Sequence, residues 1–384
     1  MLESFIHRFK GDRYLWLFTI VLTFFSLMVV YSSTESLAFR EKASLEYYLI
    51  KHAAFAGMGV AIMFVFHLFN YRVYRKMATL VFFLAIPLLI YTLVAGTSIN
   101  DANRWITIPG IGLSFQSSDL AKIALILFLA RLLSDKTVDF SSWALFRKCM
   151  LPITAIFILI VPTNLSTAAM LFGTGMVIMF MGRFSASKLF LAGMIMIALI
   201  GLTISTGLLG RADTWKARLE RFTQSDHEGG EENIQTKHSK IAVASGGFFG
   251  EGPGNGKQKN YLPHAYSDFV YAIIIEEYGL IGGAAVFLLY LFIFQRGLAI
   301  ARKAQSPFGA LIAVGITFQF LLQGIINMAV SLDLFPVTGQ TLPLLSLGGS
   351  SQIITFSALG IVQSVARDSG EAEAMKQPEN VVLT

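Results

Sequence analysis

The sequence predicts an all-α integral membrane protein with ten transmembrane helices and a large extracytoplasmic loop between helices 7 and 8. Three observations lead to this fold class: 54% of the 384 residues are apolar, only 14% are charged, and the mean hydropathy is +0.63. A soluble domain carries about 25% charged residues, and a membrane-spanning helix needs about 20 apolar ones. The composition therefore excludes a soluble globular domain and a disordered chain, and the single cysteine, Cys149, excludes an internal disulfide framework.

Ten apolar runs of helical length support the predicted number of helices. The fourth and fifth are short, so they either form partial spans or extend into the polar residues beside them. The first follows a basic start and has no small-residue cleavage site, so we expect an uncleaved anchor rather than a signal peptide. The runs are Tyr14–Tyr31, Tyr48–Leu68, Met77–Ala95, Leu120–Leu133, Leu151–Val161, Leu165–Met181, Leu189–Leu209, Phe269–Phe294, Phe308–Val330 and Leu345–Val365.

Lysine and arginine predict the orientation, because basic residues in short loops stay on the cytoplasmic side. With the N-terminus inside, every inner segment is basic, whereas the short outer loops carry only Arg40, Lys42 and Arg104. Ten spans then place both termini in the cytoplasm. The net charge of +6 follows from this pattern and does not indicate nucleic acid as a partner. We expect one polytopic domain over 1–384, with a long outer loop at about 210–267 and a cytoplasmic tail at about 366–384.

Three polar residues at the outer end of the fourth run share one helix face. Gln116, Asp119 and Lys122 follow one another at a spacing of three residues. An ionisable side chain at membrane depth is costly and is therefore a candidate functional residue. Two interpretations stay open: a functional site, or a structural Asp119–Lys122 pair that neutralises itself at the membrane interface.

Further carboxylates lie where the long outer loop enters the eighth run. Asp268 at this entrance can meet both water and the headgroup of an amphiphile, and the alternative is an N-cap formed by Ser267 or Asp268. Glu276 and Glu277 follow two turns later, about 12 Å deeper along a continuous helix. We expect at least one of these two to be a buried structural glutamate, either hydrogen-bonded or protonated.

The last run opens with a polar stretch rich in glycine and serine, residues 338–351. Small residues there allow close helix packing, but a helix start with free amides also suits an anionic ligand, which makes Ser350 and Ser351 candidate binding residues. Arg104 and Trp105 in an outer loop fit a cationic contact for phosphate beside an aromatic anchor, although Trp105 alone also fits the aromatic belt of a membrane protein. The histidines show no metal-ligand spacing.

Taken in order, these strings resemble the SEDS family (shape, elongation, division and sporulation), which includes FtsW and RodA. Order and spacing hold from about Tyr14 to Val365, and Tyr31-Ser32-Ser33 is more similar to FtsW than to RodA. The chain departs from the common pattern of the family at four positions. Ser117 and Asp119 stand where the family usually has Pro and Glu, and Asn164 and His264 stand where it often has an acidic residue. The matching segments are Asn103–Ile106, Phe115–Lys122, Ala244–Gly252, Leu262-Pro263 with Ser267–Phe269, Glu276–Gly282, and Leu342-Pro343 with Gly348–Ser351.

The resemblance implies an inverting peptidoglycan glycosyltransferase that polymerises lipid II into glycan strands during septal wall synthesis and releases undecaprenyl diphosphate. It implies that Asp268 is the general base for the acceptor hydroxyl. It also implies that cations stabilise the diphosphate leaving group, with Arg211 and Arg221 competing with Arg218 for one of these positions. The substrate-binding residues implied in this way are Arg104, Trp105, Gln116, Asp119, Lys122, Arg218, Ser350 and Ser351, with Asp119 orienting Lys122.

The resemblance also implies partners and a location. The expected partners are lipid II, undecaprenyl-linked glycan, a class B penicillin-binding protein and other division proteins, at a bacterial inner membrane with the active site facing outside. No metal-ligand set is visible, so a divalent cation (Mg²⁺ or Mn²⁺) on the diphosphate stays open as a cofactor. Three other functions stay open as well: a RodA-like elongation polymerase, a lipid II flippase that needs no base, and a division scaffold without catalysis.

Overall fold

The computed structural model describes residues 10–99, 102–108, 113–135, 139–206, 215–218, 231–262 and 265–376. Most of these residues are helical, as the sequence predicts. The helices are α1 (Arg13–Ser33), α2 (Glu35–Glu41), α3 (Leu45–Leu68), α4 (Tyr71–Ala95), α5 (Ser117–Leu133), α6 (Trp143–Ile160), α7 (Leu165–Met181), α8 (Ala186–Thr206), α9 (Glu231–Gly246), α10 (Val270–Lys303), α11 (Pro307–Ser331) and α12 (Gly349–Lys376), with a short 3₁₀ helix at Gln258–Asn260.

The chain is a multi-pass membrane protein. Within the described ranges, six helices are long and apolar enough to cross a membrane: α1, α3, α4, α6, α10 and α11. The helix α7 and the part of α8 from Ala186 to Leu202 are shorter apolar helices. Each predicted apolar run falls in or overlaps a helix, but the number of ten membrane crossings stays a prediction.

Helix bounds differ from the predicted runs where polar residues continue a helix. The helix α6 begins at Trp143 rather than Leu151, because Ser142 caps it by accepting the amide of Ala144. The extra residues explain why the fifth run looked short. At the other end of the chain, α12 begins at Gly349 rather than Leu345, and it continues past Val365 to Lys376.

The first and last helices of the bundle meet at one end. Lys10 forms an ion pair of 3.0 Å with Glu371, and the amide of Asp12 donates to Gln363 Oε1 at 2.8 Å. The start of α1 and the end of α12 therefore lie together. The opposite end carries the β-sheet described next, and we call it the sheet end.

A three-stranded antiparallel sheet corrects the expectation of a purely helical fold. Its strands are β1 (Thr97–Ile99), β2 (Ala102–Ile108) and β3 (Leu113–Gln116), in the order β1-β2-β3. Trp105 is paired with Gln116 across β2 and β3. The connection between α4 and α5 spans residues 96–116 and includes several isoleucine and threonine residues, which favour strands. Pairing of the strands gives hydrogen-bond partners to backbone groups of this connection.

The helix α10 is not continuous, which corrects the predicted depth of Glu276 and Glu277. Gly279 has φ +69° and ψ −175°, well outside helical values. Tyr271 Oη donates to the carbonyl of Gly283, twelve residues away, at 3.1 Å, whereas a continuous helix would separate these residues by about 18 Å. The part before Gly279 therefore folds back along the part that follows, and the two glutamates lie near the turn rather than deeper in the membrane.

The apolar core lies between the helices. Leu22, Leu125, Ile153, Tyr290 and Phe356 are among the largest side chains that are fully buried. The outward faces of the same helices are also apolar, which is expected where lipid replaces water as the surrounding solvent.

Candidate functional site

The segment between α11 and α12 closes the sheet end over the residues that precede Asp268. Leu347 N donates to the carbonyl of Tyr266 at 2.9 Å, and Ser346 Oγ donates to the carbonyl of Ser267 at 2.6 Å. Both residues belong to the polar stretch 338–351 that the sequence singles out. In the structure most of this stretch is a folded loop, and its hydrogen bonds fix the backbone on which Asp268 sits.

Asp268 and Arg104 meet at Gly339. A Cβ atom at Gly339 would lie 3.0 Å from Arg104 Nη1 and 3.7 Å from Asp268 Oδ2. The guanidinium and the carboxylate thus approach one point, although their residues lie far apart in sequence. Gly339 has φ +66°, a left-handed conformation that glycine adopts without strain. The missing side chain leaves room for both groups.

The backbone around Asp268 is held by α11. Asn327 Nδ2 donates to the carbonyl of Asp268 at 2.9 Å and to the carbonyl of Gln340 at 2.7 Å. The helix α10 starts at Val270 with Phe269 at the N-cap position. The structure therefore places neither Ser267 nor Asp268 at the N-cap position, and the partly buried Asp268 side chain lies close to Gly339.

A row of buried amides on α11 was missed by the sequence analysis. Gln319, Gln323 and Asn327 recur at a spacing of four residues, so they share one helix face, and all are buried. Thr174 Oγ1 donates to Gln319 Oε1 at 2.6 Å, and Gln323 Nε2 donates to the carbonyl of Thr341 at 3.1 Å. Three amides at this spacing in an otherwise apolar helix are the signal that could have revealed the row.

Lys122 joins this network from α5. Its Nζ lies 2.7 Å from Asp119 Oδ1 and donates to Gln323 Oε1 at 2.9 Å. Both charged residues are buried, with 7% and 4% of their surface exposed. The ion pair expected from the spacing is present, but Lys122 also contacts the amide row that holds Asp268. Among the described residues, Asp119 Oδ2 and Gln319 Nε2 are buried without a hydrogen-bond partner.

Two further predicted site residues, Arg218 and Gln116, make hydrogen bonds elsewhere at the sheet end. Arg218 donates through Nη1 to the carbonyl of Val337 at 3.1 Å, two residues from Gly339. The competing residues Arg211 and Arg221 lie outside the described residues. Gln116, at the end of β3, donates through Nε2 to Ser118 Oγ at 2.9 Å.

A cavity of about 220 Å³ lies on the other side of the sheet. Trp105, Ser350 and the residues before Ser350 line it, together with Lys51 and His52 of α3, which the sequence analysis did not select. Within the described chain Ser350 Oγ has no hydrogen-bond partner and is shielded from solvent. A lysine, a histidine and the amino end of α12 around one cavity favour an anionic or hydroxylated ligand.

Ser351 follows Ser350 in the first turn of α12. It does not line the cavity, and its carbonyl accepts a hydrogen bond of 2.9 Å from Thr355 Oγ1. Its predicted role in binding therefore stays a prediction, without the cavity contact that Ser350 makes.

A smaller, mostly apolar cavity of about 50 Å³ runs between α5, α11 and α12. Asp119 and Lys122 line it together with apolar residues such as Ile123, Phe320 and Leu359. A cavity that is lined by an ion pair and by apolar side chains suits a ligand in which a charged headgroup is joined to a hydrocarbon chain.

Glu276 and Glu277 are structural, as expected for at least one of them. Both are 1% exposed. Glu276 Oε1 accepts the amides of Lys257 and Gln258 at 2.7 and 3.0 Å. Glu277 accepts the hydroxyl of Ser32 and lies 3.8 Å from Lys259 Nζ.

Tyr266, two residues before Asp268, keeps a neutral hydroxyl at physiological pH. Burial, with a smaller contribution from the negative charge of Glu41, raises the pKa of Tyr266 above its usual value. The Tyr266 side chain therefore adds no negative charge near Asp268.

The described residues do not fit a protein-bound divalent cation. They contain no group of three or more His, Cys, Asp or Glu side chains that could hold one, and the group that approaches the same point as the Asp268 carboxylate is the guanidinium of Arg104. An Mg²⁺ or Mn²⁺ ion carried by the substrate's own diphosphate stays a prediction.

Comparison with known proteins covers almost the whole chain. A family described as "Cell cycle protein", which comprises FtsW, RodA and SpoVE, matches residues 12–371. Stage V sporulation protein E of Bacillus subtilis is 33% identical over 367 residues, covering 93% of this chain and 97% of that protein. The probable peptidoglycan glycosyltransferase FtsW of Geobacter sulfurreducens is 31% identical over 363 residues, covering 93% and 95%.

Solved structures show the same fold. A chain from a peptidoglycan synthase complex, studied for the coordination of polymerization and crosslinking, superposes with a TM-score of 0.76 at 22% identity and covers 94% of this chain and 98% of that one. The rod shape determining protein RodA of Thermus thermophilus superposes with a TM-score of 0.69 at 24% identity and covers 94% and 97%.

Proposed function

Because the chain belongs to the family of FtsW, RodA and SpoVE, we propose that it is a peptidoglycan glycosyltransferase that polymerises lipid II. The observation that carries the proposal is the meeting of Asp268 and Arg104 at Gly339. A carboxylate that can accept a proton and a guanidinium that can bind a phosphate lie side by side, at an end of the bundle where a headgroup can enter from water.

The chemistry is a displacement at an anomeric carbon. The 4-hydroxyl oxygen of the acceptor sugar forms the new bond to this carbon, and the bond to the diphosphate oxygen breaks with inversion. Asp268 takes the hydroxyl proton as the general base. The electron pair of the broken bond leaves with undecaprenyl diphosphate, and Arg104 stabilises its negative charge.

Lys122 and Arg218 are assigned to the same leaving group. The amide row on α11 supports this role for Lys122, because Gln323 contacts both Lys122 and the loop that carries Gly339. Arg218 is hydrogen-bonded to the same loop at Val337. Asp119 orients the Lys122 ammonium. Because Lys122 is buried, its charge acts in a low-dielectric setting where it is stronger than in water.

The cavity on the other face of the sheet is assigned to a sugar or phosphate of one substrate. Trp105 supplies a flat apolar surface, and Ser350 supplies a hydroxyl without a partner among the described residues. Gln116, which is paired with Trp105 across β2 and β3, is assigned to the part of the sheet between this cavity and Asp268. The apolar cavity lined by Lys122 is assigned to the first isoprene units of the carrier lipid.

Location and partner follow from the same proposal. We infer that the sheet end faces the outside of a bacterial inner membrane and that both termini are cytoplasmic, because the loops at the Lys10–Glu371 end are the basic ones. A septal role is favoured by the relatives named FtsW. The similar chain in a complex that couples polymerization to crosslinking supports a class B penicillin-binding protein as partner.

The test is glycan-strand synthesis by the purified chain with lipid II, with and without a co-expressed transpeptidase. We expect polymer from the wild type and none from Asp268→Ala, with both proteins equally monodisperse. A flippase would tolerate Asp268→Asn better than an enzyme, and a scaffold would tolerate changes at both Asp268 and Lys122. Equal polymer from wild type and Asp268→Ala would overturn the proposal.

A further inference from the structure

Two adjacent aromatic side chains at the sheet end are left largely uncovered by the part of the chain that the structure describes. Phe248 is 69% exposed and Phe249 is 83% exposed. They do not project from a loose loop, because Gly250 N donates to the carbonyl of Gly246 at 2.7 Å and Ile281 N donates to the carbonyl of Phe248 at 3.3 Å. An apolar pair presented by a fixed turn marks an interaction surface.

The turn lies at the boundary of a membrane-spanning stretch. Gly279 ends the part of α10 that folds back, and the part from Leu280 to Lys303 exceeds the ~20 residues that a span needs. Leu280 and Ile281 are 52% and 56% exposed, and apolar side chains on the outside of such a stretch face lipid. The carbonyl of Phe248 accepts the hydrogen bond from Ile281 N, so Phe248 and Phe249 lie next to the first residues of this stretch. The pair therefore extends the lipid-facing surface of α10 beyond Leu280.

The preceding helix, α9, packs against α10 and contacts the end of α11. Ser239 Oγ donates to the carbonyl of Ser331, the last residue of α11, at 2.6 Å. Seven residues later, Gly246 packs against α10, where an added Cβ would lie 2.0 Å from the carbonyl oxygen of Ile275. Thus α9 packs against the part of α10 before Gly279 and contacts the end of α11, and Ile241 on it is also 40% exposed.

We propose that Phe248 and Phe249 are a membrane anchor whose rings insert into the headgroup–acyl boundary of the leaflet at the sheet end. Aromatic side chains favour this boundary between headgroups and acyl chains. The anchor ties α9 and the loop that follows it to the bilayer surface. The anchor positions this loop and takes no part in a reaction. The proposal is therefore independent of whether the chain polymerises lipid II.

The test is the depth of a spin label attached at Phe249. Cys149 is fully buried, so a Cys149→Ala background with Phe249→Cys carries one labelled site. The protein is reconstituted in nanodiscs of phosphatidylethanolamine and phosphatidylglycerol, and the collision rates of the label with oxygen and with a water-soluble nickel chelate are compared. Lys257→Cys, in the exposed part of the same loop, serves as the water control, and Leu288→Cys on α10 as the lipid control.

We expect the label at Phe249 to collide more with oxygen than with the nickel chelate, as at Leu288 and opposite to Lys257. A label that prefers the chelate would lie in water and overturn the proposal. A label shielded from both would lie against protein, such as a second copy, and would overturn it as well. Because Phe249 is 83% exposed, we expect its substitution to leave folding intact, and Phe248→Cys repeats the measurement independently.

Discussion

The pair of buried charges on α5 lets the stability and the proposed chemical role of one residue be tested separately. Lys122 pairs with Asp119 and also donates to Gln323. Removing only one partner of a buried ion pair leaves the other charge uncompensated, which costs about 3–5 kcal/mol. Stability and polymerisation therefore respond differently to single and double substitutions at this pair.

Lys122→Met should lower the unfolding temperature markedly and abolish polymerisation, because the Asp119 carboxylate is then buried alone. The double variant Asp119→Asn/Lys122→Met should recover most of the stability without recovering activity, because no buried charge remains but the cation is still missing. Thermal unfolding in detergent beside a lipid II assay checks both. Polymer from the stable double variant would contradict the role given to Lys122.

Gly339 offers a second change at the residue scale, with a matched control. Gly339→Ala should reduce polymerisation strongly, because its Cβ would lie 3.0 Å from Arg104 Nη1. Gly254→Ala imposes a similar left-handed strain at φ +80° but meets nothing within 4 Å. Comparing the two activities separates displacement of Arg104 from backbone strain. Equal activities would mean that Arg104 does not need its present position.

The sequence predicts local pairs at the residue scale but not distant ones. Asp119 and Lys122 are three residues apart on a helix, so their contact follows from helical spacing alone. The meeting of Arg104 with Asp268 depends on a strand, a loop and a broken helix that no spacing reveals. Lys51 and His52 were overlooked for a related reason: they lie inside an apolar run, and only the fold shows that this part of α3 faces a cavity.

At the scale of elements, the break in α10 determines where the site lies. Gly279 lets the part before it fold back, so that Asp268 faces Gly339 while Glu276 and Glu277 bind the loop beside the turn. The hydrophobicity pattern predicts one continuous helix here, because the parts of α10 before and after Gly279 are both apolar. The three-stranded sheet escaped prediction because its strands are short and lie in a loop between two long helices.

Gly279→Ala should destabilise the fold by more than the roughly 1–3 kcal/mol that a sparsely populated backbone conformation of this kind costs an L-residue. An added Cβ would lie 2.2 Å from the carbonyl oxygen of Phe248 and 2.6 Å from the amide of Gly250, and backbone atoms cannot move aside. Gly254→Ala again isolates the conformational cost. Thermal unfolding of the two variants measures the difference, and an equal loss of stability would contradict the proposed packing of this turn.

At the scale of the molecule, the two ends of the bundle differ in character. One end joins α1 to α12 through Lys10 and Glu371 and carries the basic loops, whereas the other carries the sheet, α9 and Asp268. The charge bias in the sequence predicts this polarity. Composition also predicts the helical membrane class, because no other class needs so many apolar residues.

Topology can be measured in living cells. A fluorescent protein fused after Lys376 should be bright in the cytoplasm, while alkaline phosphatase at the same place should be inactive. In a Cys149→Ala background, Lys257→Cys should react from outside with a membrane-impermeant maleimide. Active phosphatase at Lys376, or protection of Lys257→Cys in intact spheroplasts, would contradict the proposed orientation.

The central claim is that Asp268 acts in catalysis and not in binding or folding, and the most direct measurement separates these roles in one sample. Wild type and Asp268→Asn are reconstituted in nanodiscs with the transpeptidase partner, and binding of a fluorescent lipid II and formation of glycan strands are measured together. We predict that Asp268→Asn, which keeps the side-chain shape but cannot act as a base, binds lipid II as the wild type does and makes no strands. Strand formation by Asp268→Asn at the wild-type rate would contradict the account.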